Sequence, residues 1–289
     1  MSDIESLASG KDHGDENFPV ASALIAPRHR PVVLAFYRVA RMSDDVADHP
    51  ALSPDEKLRR LAAIENSLTS ADETVPAASA LRRVLEDRGL SDRHMLDLLE
   101  AFRRDAVKTR YADWDELMDY CRYSAAPVGR FMLDVHGESQ ATWPASDALC
   151  AALQVINHLQ DCGKDYRDLD RVYLPQDTLA TAGLDVRALG EPKAGAALRG
   201  VIANLAARTG ALLNVARPLY PAVRDLRLAL EIGVIHRLAE DLNDKLLHRD
   251  PLSEKVHHSR IAALGIALMG AAGVLAGRLS PRSRRPAGA

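Results

Sequence analysis

The chain has 289 residues, of which 47 % are hydrophobic and 27 % are charged, and its formal net charge is −3. This composition is typical of a globular protein and excludes a strongly basic one, so we expect no nucleic-acid partner. Cys121, Cys150 and Cys162 lack the spacing of a metal site or a disulfide framework, which predicts reduced thiols in a cytoplasmic protein. The polar, acidic N-terminus lacks the apolar core of a signal peptide.

Helical patterns run through most of the chain, whereas alternating strand patterns are nearly absent. Proline and serine at the starts of periodic stretches act as helix-initiation signals. Helices are predicted at residues 31–48, 54–69, 76–88, 91–107, 113–124, 127–137, 145–166, 196–217, 222–248 and 256–278. Neither a fixed repeat nor a Gly/Ser-rich linker divides them. The sequence therefore predicts an all-α, single-domain helical bundle.

Three stretches differ from this helical pattern. Residues 1–16 are predicted to form a disordered tail, and residues 168–195 a long functional connection or lid. Residues 261–277 are uncharged, but a membrane-spanning helix needs about 20 apolar residues. A final helix packed on the core is therefore the favoured interpretation. The alternative is a hydrophobic tail that contacts the inner membrane peripherally, helped by the basic residues that follow. The helical domain is assigned to residues 17–260, and residues 261–289 to an apolar helix with a basic tail.

The first acidic motif lies in "RVARMSDDVADHP", residues 38–50. Asp44 and Asp48 are four residues apart and share one face of a helix, with Asp45 beside them. Taken alone, such a cluster is more often a solvated helix end than a site. Arg41 lies one turn before Asp44 on the same face, where we favour a role in contacting phosphate.

The second acidic motif makes a functional interpretation stronger. Gln154, Asn157, Asp161 and Asp165 form one helical stripe within an apolar run. A buried polar stripe is costly unless it is paired or bound to a metal. If two such pairs face each other across a bundle, they supply four carboxylates to one cavity. Mg²⁺ prefers oxygen ligands of this kind and keeps waters that a substrate diphosphate can replace.

Basic residues also follow the second motif. Lys164, Arg167 and Arg171 could clamp phosphate oxygens or could form ordinary salt bridges. For Arg167 and Arg171 both alternatives stay open on the sequence alone.

A third stretch, "YCRYSAAPVGRFMLDVHG" at residues 120–137, predicts a helix break at Pro127 and Gly129. Small residues such as Ala125 and Gly129 would let a bulky ligand approach the backbone. Tyr120 and Tyr123 flank the break, and their rings could face a carbocation in an apolar cavity. The alternative is a structural loop with structural tyrosines.

Together, these stretches resemble the squalene/phytoene synthase family. The matching segments are "SDDVAD" at 43–48, "YCRYSAAPVG" at 120–129, "QVINHLQDCGKD" at 154–165 and "RVYLP" at 171–175. "ENFPVAS" at 16–22, "SAAPVGR" at 124–130 and "HRDPL" at 248–252 look most like a hopanoid-biosynthesis branch of that family. The resemblance implies an isoprenoid synthase bundle with a central active-site cavity. It also implies conversion of presqualene diphosphate to hydroxysqualene by ionisation, rearrangement and water capture.

The resemblance implies roles for individual residues. Mg²⁺ would be held by Asp44, Asp48, Asn157, Asp161 and Asp165. Substrate contacts are expected from Arg41, Tyr120, Gln154, Asn157, Ala125 and Gly129, with Tyr120 and the four motif aspartates as the catalytic set. Lys164 departs from the family pattern, in which an acid precedes the last aspartate. No nicotinamide cofactor is expected, and functional coupling to a presqualene diphosphate synthase and a hydroxysqualene reductase is implied.

Two rival functions remain open on the sequence. The first is head-to-head condensation of prenyl diphosphates to presqualene diphosphate, squalene or phytoene. The second is a catalytically silent helical partner in an isoprenoid assembly. Buried like charges argue against the second, because a scaffold has no use for them.

Overall fold

The computed structural model describes residues 25–279. The predicted tail at residues 1–16 and the basic residues beyond 279 lie outside this range. The helices are α1 (Arg30–Asp48), α2 (Pro54–Thr69), α3 (Pro76–Arg88), α4 (Arg93–Val107), α5 (Trp114–Ser124), α6 (Ala126–Val135), α7 (Trp143–Leu169), α8 (Gln176–Thr181), α9 (Ala196–Ala216), α10 (Leu219–Ala222), α11 (Leu226–His248) and α12 (Arg260–Leu279).

The prediction of an all-α fold is confirmed. Within residues 25–279, β-pairing is limited to an isolated bridge between Arg110 and Val172. Helices α2 and α3 span the predicted residues, helped by Ser53, whose side chain accepts from the Glu56 backbone N–H at the start of α2. The predicted irregular segment 168–195 contains α8 and a 3₁₀ turn, Val186–Gly190. The boundaries assigned at residues 17 and 261 stay predictions.

The helices pack around two hydrophobic clusters. The first is built from α1, α2, α3 and α4 with part of α6. It includes Phe36 of α1 and Phe131 of α6, whose rings stack with centroids 3.9 Å apart. The second joins α5 to α11, with the long helix α7 at its centre. The space between the two clusters forms the cavity described below, so the site is built where the two halves of the bundle meet.

The predicted break between α5 and α6 is confirmed. Helix α5 ends at Ser124 and α6 begins at Ala126, with Pro127 in its first turn. Gly129 lets α6 approach α7 closely, because a Cβ there would collide with Ser146 Oγ and lie 2.6 Å from Cys150 Sγ.

Helix α12 packs on the outside of α11 through small residues. A Cβ on Gly270 would lie 2.8 Å from the Gly233 carbonyl oxygen, so the two backbones touch. Within α12 only Ile266 and Val274 are buried. The helix is long and apolar enough to cross a membrane, with a mean hydropathy of 1.7, and 11 % of its most apolar window is buried. The expected packing on the core thus accounts for one narrow face of α12.

Candidate functional site

A cavity of about 320 Å³ opens between the two clusters. Its wall is largely apolar, with Val33 and Phe36 of α1 facing Leu149 and Leu153 of α7. Four of the predicted site residues line it: Ala125, Gly129, Gln154 and Asn157. The volume and the apolar wall suit a hydrocarbon ligand.

The predicted aspartates lie beyond one end of this cavity. On α1 the lining reaches Ala40, and Asp44 follows one helical turn later. On α7 the lining reaches Asn157, and Asp161 again follows one turn later. Both acidic motifs therefore lie at the end of the cavity toward which α1 and α7 run, although none of the aspartates in residues 25–279 lines the cavity itself.

Arg171 connects the two acidic motifs. This buried residue follows the C-terminus of α7, and its backbone N–H donates to the Asp165 carbonyl at 3.1 Å. Its guanidinium donates to Asp48 Oδ1 of α1 at 2.8 Å. The sequence left a clamp and an ordinary salt bridge open for Arg171, and the observed ion pair joins residues 123 positions apart. By contrast, Lys164 and Arg167 are exposed.

Asp105 of α4 completes a buried polar network under this ion pair. Tyr120 Oη donates to Asp105 Oδ2 at 2.7 Å, and Tyr173 Oη donates to Oδ1 at 3.3 Å. Arg171 donates to the Asp105 backbone carbonyl at 3.1 Å. Burial raises the pKa of Asp105 to about 6, opposed by the Arg171 charge and the tyrosine hydrogen bonds. The network fixes the guanidinium, because each of its neighbours is itself held.

Tyr120 and Tyr123 lie outside the described lining of the cavity. Tyr120 packs among Tyr111, Tyr173 and His158 and does not line the cavity. Tyr123 is covered by the guanidinium of Arg104, 4.3 Å from its ring centroid. Direct contact of Tyr120 with a substrate stays a prediction, whereas its contact with Asp105 is observed.

His158 orients Gln154 in the cavity wall. The ring stacks on Tyr173 with centroids 3.5 Å apart, and burial lowers the pKa of His158 to about 3. The ring is therefore neutral near pH 7. Gln154 Nε2 lies 3.2 Å from His158 Nε2, where an unprotonated ring nitrogen accepts the amide hydrogen.

The acidic motifs carry electrostatic strain. Burial and the neighbouring Asp48 raise the pKa of Asp44 to about 7, although 35 % of its side-chain surface is open to solvent. Burial and Asp161 likewise raise the pKa of Asp165 to about 7, and the charge of Asp48 adds to this effect. The influence of Asp48 on a residue of α7 supports the proximity of the two motifs. A bound cation would stabilise the ionised form of these aspartates, because it would offset the repulsion between their carboxylates.

Arg41 neutralises part of the first motif. Its guanidinium lies 3.0 Å from Asp44 Oδ2 and 2.5 Å from Asp45 Oδ1, on the same turn of α1. The side chain is 18 % exposed, so it is held at the edge of the site. This placement agrees with the predicted position beside the first motif.

One compact group of potential metal ligands occurs elsewhere in residues 25–279. Ligand atoms of His29, His136 and Asp225 lie within 4.8 Å of one another, whereas no three predicted aspartates do so. Arg28 Nε and Arg88 contact the two ring nitrogens of His29 at 2.9 and 3.0 Å. Burial, His136 and these arginines lower the pKa of His29 to about 4. Two guanidinium groups on one ligand make this a poor cation site.

Sequence reasoning missed Asp105 and Tyr173. Asp105 continues the buried face of α4 after Leu98 and Ala101, at helical spacing. An acid at the end of an apolar stripe is the signal that could have identified it. Tyr173 lies within the "RVYLP" segment, but its contact with α4 depends on tertiary structure.

Comparisons with known proteins agree with this geometry. The pattern of the family "Squalene/phytoene synthase" matches residues 11–262. The chain is 57 % identical to the hydroxysqualene synthase of Rhodopseudomonas palustris over 257 residues, covering 89 % of this chain and 88 % of that protein. It is 52 % identical to the hydroxysqualene synthase of Zymomonas mobilis over 271 residues, covering 93 % and 91 % of the two chains.

Solved structures show the same fold. The crystal structure of squalene synthase HpnC from Alicyclobacillus acidocaldarius superposes with a TM-score of 0.65 and 29 % identity, covering 98 % of this chain and 94 % of that one. A dehydrosqualene synthase solved with a ligand gives a TM-score of 0.74 at 21 % identity, covering 95 % and 97 %. The second likeness concerns the fold alone.

Proposed function

Because the chain belongs to the squalene/phytoene synthase family, we propose that it converts presqualene diphosphate to hydroxysqualene. The observation that carries this proposal is the identity of 57 % with a hydroxysqualene synthase across nearly the whole chain. The geometry supports it, since an acidic end with fixed arginines adjoins an apolar cavity of about 320 Å³. A diphosphate head and a hydrocarbon body would each find a matching environment.

The donor set fits Mg²⁺. Asp44, Asp48, Asp161 and Asp165 offer hard carboxylate oxygens, and Asn157 offers an amide oxygen one turn from Asp161. Because no three of these aspartates converge within 4.8 Å, each ion would take one or two carboxylates and complete its shell with waters and diphosphate oxygens. Bound Mg²⁺ would act as a Lewis acid that stabilises the departing diphosphate.

The chain's own residues would bind the substrate and protect the cation. Arg41 and Arg171 stand beside the aspartates, where their guanidinium groups would contact diphosphate oxygens. Gln154, held by His158, faces the part of the cavity nearest the acidic end. The apolar walls would exclude bulk water after the carbon–oxygen bond breaks, so that one retained water could capture the rearranged cation.

Product analysis with presqualene diphosphate tests the proposal. We expect hydroxysqualene in the presence of Mg²⁺, none with EDTA, and no effect of NADPH. Asp44→Asn and Asp161→Asn should abolish turnover, whereas Asp168→Asn, at an exposed position of α7, should not. Efficient turnover of farnesyl diphosphate alone would establish head-to-head condensation instead. Unchanged pathway output from the Asp44 and Asp161 variants would favour a scaffold.

The proposed reaction implies functional partners. A presqualene diphosphate synthase would supply the substrate, and a hydroxysqualene reductase would consume the alcohol. Both compounds are poorly soluble, so transfer between enzymes is expected to take place at or near a lipid surface.

We further propose that the protein is cytoplasmic and contacts the inner membrane through α12. Ile261, Leu264, Leu268 and Leu275 recur at helical spacing and are 85 %, 63 %, 64 % and 45 % exposed. The basic sequence that follows at 282–285 suits anionic headgroups. A bilayer therefore matches both the apolar stripe and the charge beside it.

Vesicle co-sedimentation tests this contact. The wild type should bind vesicles that contain phosphatidylglycerol, and the triple variant L264S/L268S/L275S should lose most of that binding. Val215→Ser, an exposed apolar position of α9, is the matched control and should bind normally. A dimer in solution that the triple variant disrupts, without any vesicle binding, would assign the stripe to a second copy of the chain.

A further inference from the structure

An acidic side chain lies in the apolar wall of the cavity, remote from the aspartate motifs. Helix α11 contributes Leu228, Glu231, Ile232 and Ile235 to the lining, and Glu231 is 4 % exposed. Among the described residues that line the cavity, Glu231 alone is an aspartate, glutamate, lysine or arginine. Neither acidic motif nor the arginines beside them explain its presence.

This position is unusual for an acidic residue. A carboxyl group is rarely placed in an apolar wall unless a polar partner or a function requires it there. A leucine at the same position would continue the apolar face that Leu228, Ile232 and Ile235 form. A carboxyl group in the wall of a reaction cavity is a candidate for chemistry.

The packing of α7 against α11 shows how far Glu231 lies from the acidic motifs. A Cβ on Gly163 would press on Leu252, just beyond α11, and the Gln160 side chain donates to the Val256 carbonyl. The C-terminal ends of the two helices thus lie together, near the acidic motifs. Glu231 is 17 residues before the end of α11, which corresponds to about 25 Å of helix. It therefore faces the hydrocarbon part of a substrate and not its diphosphate.

Formation of an alcohol in this cavity requires a base. The water oxygen donates a lone pair to the carbocation and forms the carbon–oxygen bond, and the resulting oxonium must lose one proton. The net change is presqualene diphosphate plus water to hydroxysqualene plus diphosphate, with the proton passing to an acceptor. The departing diphosphate can accept a proton near the acidic motifs, whereas a water held at the α11 part of the cavity needs an acceptor among the side chains of the wall.

We infer that Glu231 is the general base that holds this water and accepts its proton, an inference that rests on the proposed function. The carboxylate offers hydrogen-bond acceptors that keep one water in an otherwise apolar cavity. Rearrangement moves the positive charge off the carbon that bore the diphosphate, toward the part of the cavity that α11 lines. The proton then returns to solvent when the product leaves.

Other polar groups of the wall are weaker candidates. Burial raises the pKa of Cys150 to about 12, so its thiol stays protonated. Ser124, Ser146 and Tyr37 carry hydroxyl groups, and Gln154 and Asn157 carry amides. Neutral hydroxyl and amide groups do not accept a full proton near neutral pH. Glu231 combines basicity with a place on the wall.

The test compares products from presqualene diphosphate in wild type and Glu231→Gln. The glutamine keeps the shape and can hold water but cannot take its proton. We expect the alcohol share of the C30 products to fall at least about ten-fold, with hydrocarbons formed by proton loss replacing it, while diphosphate release falls far less. Glu240→Gln removes a carboxylate from the same helix at a site paired with Arg217 and Arg237, and should leave the alcohol share unchanged.

Two outcomes separate this inference from the proposed function. If the wild type does not consume presqualene diphosphate, the proposed function fails. If the wild type makes the alcohol and Glu231→Gln makes it in the same share, the role of Glu231 is refuted. Should Glu231→Gln not fold by circular dichroism, Glu231→Asp and Glu231→Asn decide: alcohol from the aspartate variant alone supports the base, and equal shares overturn it.

Discussion

Removing the charge of Asp165 should stabilise the metal-free fold while abolishing turnover. Burial and Asp161 raise its pKa from 3.8 to about 7 in the folded chain. The unfolded chain thus releases this proton near pH 4, and the folded chain only near pH 7. The free energy of unfolding therefore falls as pH rises between these values, and the full decrease is reached at pH 8. A pKa difference of this size corresponds to about 4 kcal/mol as an upper bound.

Because Asp165 keeps some access to solvent and is coupled to Asp161 and Asp48, we halve this bound. Asp165→Asn should raise the free energy of unfolding at pH 8 by about 2 kcal/mol, or the melting temperature by about 4–8 °C. At pH 4 the variant and the wild type should be equally stable. Urea denaturation in EDTA, followed by circular dichroism, measures the difference, with the exposed Asp168→Asn as control. A destabilised Asp165→Asn at pH 8, or a pH-independent gain, would refute the proposed strain.

Three further predictions follow from the same geometry. Arg171→Met leaves Asp48 without its 2.8 Å ion pair, so we expect denaturation curves to show a loss of about 2–3 kcal/mol and turnover assays to show near-complete inactivation. Gly129→Ala places a methyl group against Ser146 Oγ, and should cost about 1–3 kcal/mol in the same denaturation assay. Protons compete with Mg²⁺ at Asp44 and Asp165, whose pKa values are about 7. Apparent Mg²⁺ affinity, measured from thermal shifts, should therefore be at least about ten-fold weaker at pH 6 than at pH 8.

The sequence predicted the helices well because their signals are local. Ser53 before Pro54 marks the start of α2, and Pro127 with Gly129 marks the break before α6, without reference to the rest of the chain. Helix α8 was missed because it has only six residues, too few for a periodic pattern. The outward stripe of α12 was also unpredictable, since an apolar run does not reveal which face finds a partner.

The candidate site was predictable where its residues repeat along one helix. The aspartate pairs and the Gln154–Asn157 step follow from spacing alone, which also predicts that the two pairs supply one cavity. Contacts between residues of different helices were not predictable from the sequence. The partners of Arg171 come from α1 and α4, and Glu231 carries no local motif at all. Such residues become visible only when a folded chain shows which wall they occupy.

Helix α1 carries both a part of the cavity wall and the aspartates of the first acidic motif. Val33, Phe36 and Ala40 contact the cavity, and Asp44 and Asp48 follow on the same helix without interruption. An α-helix transmits a tilt along its whole length. Enlarging the wall to admit a longer hydrocarbon would therefore displace the carboxylates as well, so size selectivity and ionisation rate cannot be tuned separately from this helix. Engineering of chain length is better directed at α11, whose wall residues belong to a helix that bears none of the aspartate ligands.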